Sequence, residues 1–509
     1  MNRLLTPAQM SEAEEISVKL GVSLWELMSH AGQRLAEITD KKAKRLGAKN
    51  ILLLCGAGNN GGDGFVCADY LAKCGYTVTA ALMCGEPKTE LARMAYSLIN
   101  TEKINITAAA EKLSSINPDI IIDCIFGTGF HGEFRDNGHI LKTLKAISET
   151  DAYIIACDMP SGVDALRGTA ANGTLCCDMT VTFHAEKIGM AISPAKEYCG
   201  DIHVADIGIP DGWQDMLTDR LYAEEANRDY LHTLMPERSE YSHKGTFGKL
   251  LLICGCESYV GAAGISSRAA LHTGCGITNL ASVRFVVGCI AGTAPECVYT
   301  MLSADDRGYI NEREIPRLVE LANKHDAVVL GCGIGQSKST QMLVEEMIKN
   351  VEKLLLIDAD GINQLAKNID VLRDKKCEIV LTPHIGELAR LCGKDISSVK
   401  SDRLNICRSL AEKYGIILHS KDVTSMTVTA NSAVLTSFGC SALAKGGSGD
   451  MLAGIIGSLM AQGTPPDKAC LLGGYIMGRT SEILCERCSP AAVTASDIIG
   501  EFKTSLTKL

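Results

Sequence analysis

The sequence predicts a two-domain α/β protein built on parallel sheets, and three observations carry that prediction. The first is length: 509 residues exceed what one hydrophobic core organises. The second is a recurrence of short apolar runs, most of them rich in Ile, Val and Leu, with helical patterns between them. Strands of that kind are buried on both faces of a parallel sheet. The third is a pair of glycine-rich turns, each running into a helical pattern. They are Cys55-Gly56-Ala57-Gly58-Asn59-Asn60-Gly61-Gly62-Asp63-Gly64 and Lys445-Gly446-Gly447-Ser448-Gly449-Asp450.

Taken in order, residues from about Ser11 to Leu46 read as helices, with Ser11 and Glu14 at capping-box spacing. Apolar runs follow at Ile51–Cys55, Thr77–Met83, Ile120–Phe126, Tyr153–Cys157 and Met179–Phe183. Helical patterns lie between them at Phe65–Lys73, Leu91–Ile99 and Leu141–Thr150. Asp201 to Pro210 reads as a last strand, and the polar stretch Asp211–Ser239 marks a boundary. The pattern restarts with strand Lys249–Cys254, helix Ala262–Thr273 and strand Ile277–Ser282. Further strands are expected at Asp326–Leu330, Leu354–Asp358, Glu378–Leu381 and Ile416–Leu418, then an edge hairpin around Asn431-Ser432. The expected division is 1–215, a linker at 216–240, and 241–509.

Composition narrows the function classes. A formal charge of −10 gives no support to nucleic-acid or membrane-surface binding. No stretch approaches the ~18 uninterrupted apolar residues of a membrane span. Met1 to Pro7 lacks the apolar core of a signal peptide, so a cytoplasmic protein acting on small molecules is expected, as a homo-oligomer. The 22 cysteines are scattered, often inside apolar runs, and read as reduced packing residues. Cys485-Glu486-Arg487-Cys488 is the only CxxC, with no second pair or nearby histidine to complete a zinc site.

The first glycine turn is an anion cradle by its chemistry. Missing side chains open the backbone N–H groups, and the helix N-terminus adds partial positive charge. Asn59, Asn60 and Asp63 add polar groups where ligands sit in open α/β sheets. Two later loops follow strand ends: Asp123 with Gly127-Thr128-Gly129-Phe130-His131-Gly132, and Asp158-Met159-Pro160-Ser161-Gly162. A lone Asp at a strand end is usually a turn former. Three such loops at one sheet edge make a site, and oxygen donors without nitrogen or sulfur suit a hard cation.

These segments resemble the NAD(P)H-hydrate epimerase family over roughly residues 1 to 215. The resemblance implies a Rossmann-like three-layer α/β sandwich that binds potassium beside a hydrated nicotinamide nucleotide. It implies Asn60, Asp123 and Ser161 as potassium ligands. Asn59, Asn60, Gly61, Gly62 and Asp63, then Gly127, Thr128, Gly129, Phe130, His131, Gly132 and Glu133, with Asp158, would line the nucleotide site. Inverting the hydrated ring carbon needs a positioned acid or base. Asp158 is the candidate, either moving the proton or holding the ring.

In the second glycine turn, Gly447 and Gly449 leave backbone donors free at a helix start. Asp450 is placed there to accept a proton from a hydroxyl taking part in phosphoryl transfer. A carboxylate at that position also serves as a plain N-cap, but the preceding GGSG favours a site. Gly331-Cys332-Gly333, Asp358-Ala359-Asp360 and Thr382-Pro383-His384 each follow a buried strand. A lone His is more often structural, yet the turn beside Thr382 and Pro383 favours a ligand contact for His384.

With His243 to Gly248 and Tyr259 to Gly264, these motifs resemble the ADP-dependent NAD(P)H-hydrate dehydratase family over roughly 225 to 509. The resemblance implies a ribokinase-like fold, ADP with Mg²⁺, and Asp450 as the base that lets the hydrate's hydroxyl take phosphate. Ala262, Gly333, His384 and Glu387 would contact the hydrate. Gly447, Gly449 and Lys421 would contact the nucleotide. The family's Leu-Lys-Gly before a Thr is here Leu418-His419-Ser420-Lys421-Asp422-Val423-Thr424, and its Gly-Pro-Gly is Gly331-Cys332-Gly333. The leading expectation is a bifunctional repair enzyme for hydrated NADH and NADPH. A ribokinase-type small-molecule kinase fused to a nucleotide-binding module would use the same Asp450 turn.

Overall fold

A computed structural model describes residues 1–107, 116–134, 139–219 and 223–507. The chain divides into two compact units, Asn2–Ala223 and Glu224–Leu509. The division falls inside the polar stretch 211–239. Residues 220–222 of the expected linker lie outside the described residues.

The first unit is a Rossmann-like seven-stranded parallel sheet. Its strands are β1 (Asn50–Cys55), β2 (Thr77–Leu82), β3 (Ile104–Thr107), β4 (Ile120–Cys124), β5 (Tyr153–Cys157), β6 (Met179–Phe183) and β7 (Asp201–Ala205). Their order is β3-β2-β1-β4-β5-β6-β7, with every neighbouring pair parallel. Sequence order reverses between β1 and β4, paired through Cys55 and Cys124. The crevice beyond such a reversal is where α/β sheets bind ligands. β4 is buried throughout, including Asp123, which is why its run lacks alternation. A short ladder pairs Leu5 with Lys187.

Two expectations need correction here, and two strands were not expected. The first helix, Pro7–Lys19, starts at Thr6 and Gln9, which form the capping box, with Pro7 in the first turn. Ser11 is therefore inside the helix and not its cap. The glycine loop also starts its helix early: Asn59–Lys73 is helical, so Asn60, Gly61, Gly62 and Asp63 sit in its opening turns. Glycine is a poor helix former, but packing overrides propensity here. A Cβ on Gly61 would sit 2.0 Å from the Gly56 carbonyl oxygen, and one on Gly62 2.8 Å from Met28 Cε. Helix Leu24–Leu46, capped by Ser23 and Glu26, packs equally close, since a Cβ on Gly32 would meet Val66 Cβ at 2.5 Å. Strand β3, like strand Val298–Leu302 of the second unit, had no expectation at all. Ile104–Thr107 is too short, and Val298–Leu302 too exposed, to form an apolar run.

Among the described residues, the second unit carries nine strands besides the short Ala223–Glu225 at its boundary. They are β8 (Lys249–Ile253), β9 (Ile277–Val283), β10 (Val298–Leu302), β11 (Ala327–Leu330), β12 (Leu354–Ile357), β13 (Ile379–Leu381), β14 (Ile417–Ser420), β15 (Ser425–Val428) and β16 (Ala433–Thr436). They run β10-β9-β8-β11-β12-β13-β14-β15-β16, parallel as far as β14, after which β15 and β16 pair antiparallel as the expected hairpin. Here too the order reverses, between β8 and β11. Helix Ser448–Ala461 is buried at every residue from Met451 onward and lies against helix Val260–His272. A Cβ on Gly454 would come 2.3 Å from the Ser266 carbonyl oxygen. The small residues of Asp450-Met451-Leu452-Ala453-Gly454 are thus explained by close helix packing.

Candidate active sites

At the switch point of the first unit a cavity of about 860 Å³ opens over the carboxyl ends of β1 and β4. Gly58 caps helix Asn59–Lys73 without a side-chain bond, so the cradle of backbone N–H groups faces the cavity. Asn59, Asn60 and Asp63 line it, as do Gly127 to Phe130 and Asp158. Gly61 and Gly62 do not; they face Gly56 and Met28. His131, Gly132 and Glu133 also lie outside the lining. His131 Nδ1 is 3.1 Å from Asp164 Oδ2, and Glu133 accepts from the Asn172 N–H.

Asp123 and Ser161 form one buried unit. Asp123 accepts from Ser161 N–H at 2.8 Å, from the Ser161 hydroxyl at 2.6 Å and from Ile125 N–H at 3.2 Å. Burial pushes the Asp123 carboxyl up despite these donors. Asn60 reaches the neighbouring loop: a Cβ on Gly127 would sit 2.9 Å from Asn60 Oδ1 and 3.4 Å from Asp158 Oδ2. The buried Asn60 amide nitrogen has no hydrogen-bond partner.

Asp158 follows β5 in a backbone conformation with φ +65°, which costs a non-glycine residue energy. Its Oδ1 takes a short ion pair from Lys187 Nζ and a 3.3 Å bond from Phe183 N–H. Lys187 is fully buried and also donates to Thr182 Oγ1 at 2.8 Å and the Phe183 carbonyl at 3.1 Å. Three partners thus satisfy the donors of this buried side chain. Glu14 joins the same wall, and burial followed by the charge of Asp158 pushes its carboxyl up to about 7. Asp63 is raised well above the ordinary range, mainly by burial, then by Asp158 and Glu14.

Sequence reasoning missed Lys187 and Glu14. Lys187 follows β6 in a two-residue strand with no motif around it. Glu14 is one more polar residue on an amphipathic helix. Only the fold brings either to Asp158.

In the second unit Asp450 lies in the first turn of helix Ser448–Ala461. The cap position belongs to Gly447, at φ +94° with no side-chain cap bond. The plain N-cap reading of Asp450 is thereby excluded. Facing this turn is Lys421, just past β14. A Cβ on Gly449 would lie 3.4 Å from Lys421 Nζ and 3.8 Å from Asp358 Oδ2. Lys421 Nζ donates to Asp358 Oδ1 at 2.6 Å, and Thr382 Oγ1 donates to the same oxygen at 2.7 Å. Burial works against the Lys421 ammonium, but Asp358 and Glu387 outweigh it and hold its pKa up. Burial, then the Asp358 charge, pushes Asp450 up to about 6, with Lys421 opposing.

His384 caps helix Ile385–Cys392. Its Nδ1 accepts from Gly386 N–H at 2.9 Å while Glu387 accepts from His384 N–H at 2.9 Å. Burial, with Lys421 and Arg390 nearby, lowers the His384 pKa. Burial pushes Glu387 up to about 7. A bridge between His384 and Lys421 ties this turn to the residue just past β14. Gly333 and Ala262 meet, since a Cβ on Gly333 would lie 2.8 Å from Ala262 Cβ. Asp422, in the segment where the family's Leu-Lys-Gly is absent, turns its Oδ2 to buried Arg403 at 3.1 Å. Asp358 was read only as part of a loop, and its pairing with Lys421 had no sequence signal.

Comparisons with known proteins match both units. The family model described as YjeF-related protein N-terminus matches residues 25–189, and that described as NAD(P)H-hydrate dehydratase matches 250–503. The bifunctional NAD(P)H-hydrate repair enzyme of Archaeoglobus fulgidus is 32% identical, over 94% of this chain and 93% of its own. Its counterpart in Moorella thermoacetica is 30% identical, over 97% and 95%. A hypothetical protein of known structure from Streptococcus mutans superposes with a TM-score of 0.50 at 24% identity, covering 56% of this chain and 99% of its own. At that identity it speaks for the fold alone. The near-complete coverage of both chains by relatives at this level of identity settles the family: the chain belongs to the bifunctional NAD(P)H-hydrate repair enzymes, an epimerase unit followed by a dehydratase unit.

Proposed function

We propose that the first unit interconverts the R and S forms of hydrated NADH and NADPH. The second then dehydrates the S form at the expense of ADP, releasing AMP and phosphate. The observation that carries this reading is the face-to-face placement of Gly449 and Lys421, with Asp450 one residue on at the same helix end. An anion cradle, a cation and a carboxylate with a raised pKa are what phosphoryl transfer to a hydroxyl asks for.

In the dehydratase, Asp450 takes the proton as the hydrate's hydroxyl oxygen bonds to the terminal phosphorus of ADP and AMP leaves. The ring nitrogen's lone pair then expels phosphate, and loss of a proton from the neighbouring carbon restores the double bond. Lys421 and the Gly447–Gly449 backbone hold the phosphates, and Asp358 orients Lys421. Mg²⁺, arriving with ADP, would neutralise phosphate charge. Ala262, Gly333, His384 and Glu387 lie around the hydrate side.

In the epimerase, the ring nitrogen's lone pair expels the hydroxyl as water when an acid supplies a proton, and water returns on the opposite face to a base. Glu14, with its raised pKa, suits the acid, and Asp158, ion-paired with Lys187, suits the base. The fit to potassium rests on donor chemistry. Asp123 is a buried carboxylate whose raised pKa a cation would relieve, and the Ser161 and Asn60 oxygens accompany it. Those three residues would hold K⁺, which supplies a fixed charge beside the nucleotide cradle. The abundance of buried cysteines supports a reducing, cytoplasmic setting, and we read the protein as a homo-oligomer.

The test is a mixture of both hydrate epimers with ADP and Mg²⁺, followed by NADH absorbance. Complete recovery of NADH with stoichiometric AMP is expected. A stable phosphorylated product, with no NADH formed, would instead identify a kinase.

A further inference from the structure

The CxxC pair of the second unit stands apart from the chemistry above. Cys485 closes helix Pro466–Cys485, and its Sγ lies 3.4 Å from Sγ of Cys440, a residue 45 positions earlier in the chain. Both are partly accessible, and Cys488, the other half of the CxxC, is exposed. Cys440 opens the 3₁₀ turn Ser441–Leu443, and Lys445 follows within five residues. Lys445 is pinned by Nζ bonds to the Ala491 and Val493 carbonyls, both 2.6 Å, and Gly447 then caps the Asp450 helix. The start of this loop is tied to the same helix as Cys485, through the Gly439 N–H on Glu482 at 2.7 Å.

We propose that Cys440 and Cys485 form a reversible disulfide with low-molecular-weight disulfides such as oxidised glutathione, and that the bond slows the dehydratase by shifting the loop that feeds its glycine turn. The Cys440 thiolate attacks one sulfur of the small disulfide and expels one small thiolate. Cys485 gives up its proton and attacks the Cys440 sulfur, expelling the second. Two protein thiols are oxidised and one small disulfide is reduced to two thiols. Bonded sulfurs lie about 2.05 Å apart, so closure draws the two segments together by roughly an ångström. Burial and the neighbouring Cys440 sulfur push the Cys485 thiol up to about 11.

The part of this proposal that concerns rate rests on the dehydratase reading; the cross-link does not. The full chain is incubated with oxidised glutathione, digested without reductant and examined by mass spectrometry. The expected product joins the Cys440 and Cys485 peptides with a loss of two hydrogens. It persists in Cys488→Ser and disappears in Cys440→Ser. Dehydration should fall by about ten-fold or more, as ångström-scale misplacement does in active sites, and return with dithiothreitol. Cys440→Ser should keep full rate under the same treatment. A bond between Cys485 and Cys488, or free Cys440 and Cys485, would overturn the site. A Cys440–Cys485 bond that leaves the rate unchanged would overturn its coupling to the active site.

Discussion

The two units solve a similar problem with the same parts and arrange them differently. Each has a glycine turn opening a helix without a side-chain cap, and each has a lysine–aspartate pair at strand ends. In the first unit the lysine is used up: Lys187 is fully buried and donates to Asp158, Thr182 and Phe183. In the second, Lys421 keeps 18% side-chain exposure and points its ammonium at Gly449. A lysine that only holds a carboxylate fits the acid–base role proposed for the first unit. A lysine left facing a backbone cradle fits the phosphate contact proposed for the second.

Breaking each arrangement should give effects of different kinds. The largest belongs to Asp450→Ala, expected to lower NADH recovery by roughly 10³-fold, in the range for a positioned general base. Epimer exchange, followed by chromatography, should be unchanged. Lys187→Met comes next. It leaves the Asp158 carboxylate without its cation, which for a buried pair costs about 3 kcal/mol or more. A lower thermal midpoint and slower epimerisation are expected together, and Asp158→Asn in the same chain should recover the stability alone. Asp158→Ala by itself should slow use of the unfavoured epimer while dehydration of the S form proceeds. Unchanged stability in Lys187→Met would remove the contrast between the two lysines.

The pH profile sharpens it further. With Asp450 pushed up to about 6, dehydration kcat/KM should fall as pH drops through that value, because the base becomes protonated. Lys421 opposes that shift, so Lys421→Met should move the fall to higher pH. A fall that stays in place would mean the lysine does not act on Asp450. Exchange of K⁺ for tetramethylammonium should lower the melting temperature of the wild-type chain by a few degrees and leave that of Asp123→Asn unmoved. The smallest effect on catalysis is expected from Asp422→Gly. Its carboxylate pairs with the buried Arg403 guanidinium at 3.1 Å, so its loss should lower the thermal midpoint. The KM for ADP should change less than three-fold or so.

Much of this was readable before the fold. Strands Tyr153–Cys157 and Met179–Phe183 have the bounds their apolar runs suggest, because a strand buried on both faces needs no partner to announce it. The glycine turns were readable for a similar local reason, though the first proved to be helical where it seemed a loop. Its glycines serve close packing on Gly56 and Met28 as much as the cradle. The Ser11 cap failed because Thr6-Pro7 offered an earlier and equally good start.

By itself, then, the sequence determined the alternation of strands and helices, the two glycine turns, and the presence of Asp123, Asp158 and Asp450 at strand or helix ends. These are local properties, set by periodicity, backbone freedom and capping. Tertiary structure decided which carboxylate meets which cation. Asp158 and Lys187 are 29 positions apart, and Asp358 and Lys421 are 63 apart. No spacing encodes such pairs. They exist because parallel strands bring their carboxyl ends to one edge, and because a buried charge is stable only where the fold supplies its partner.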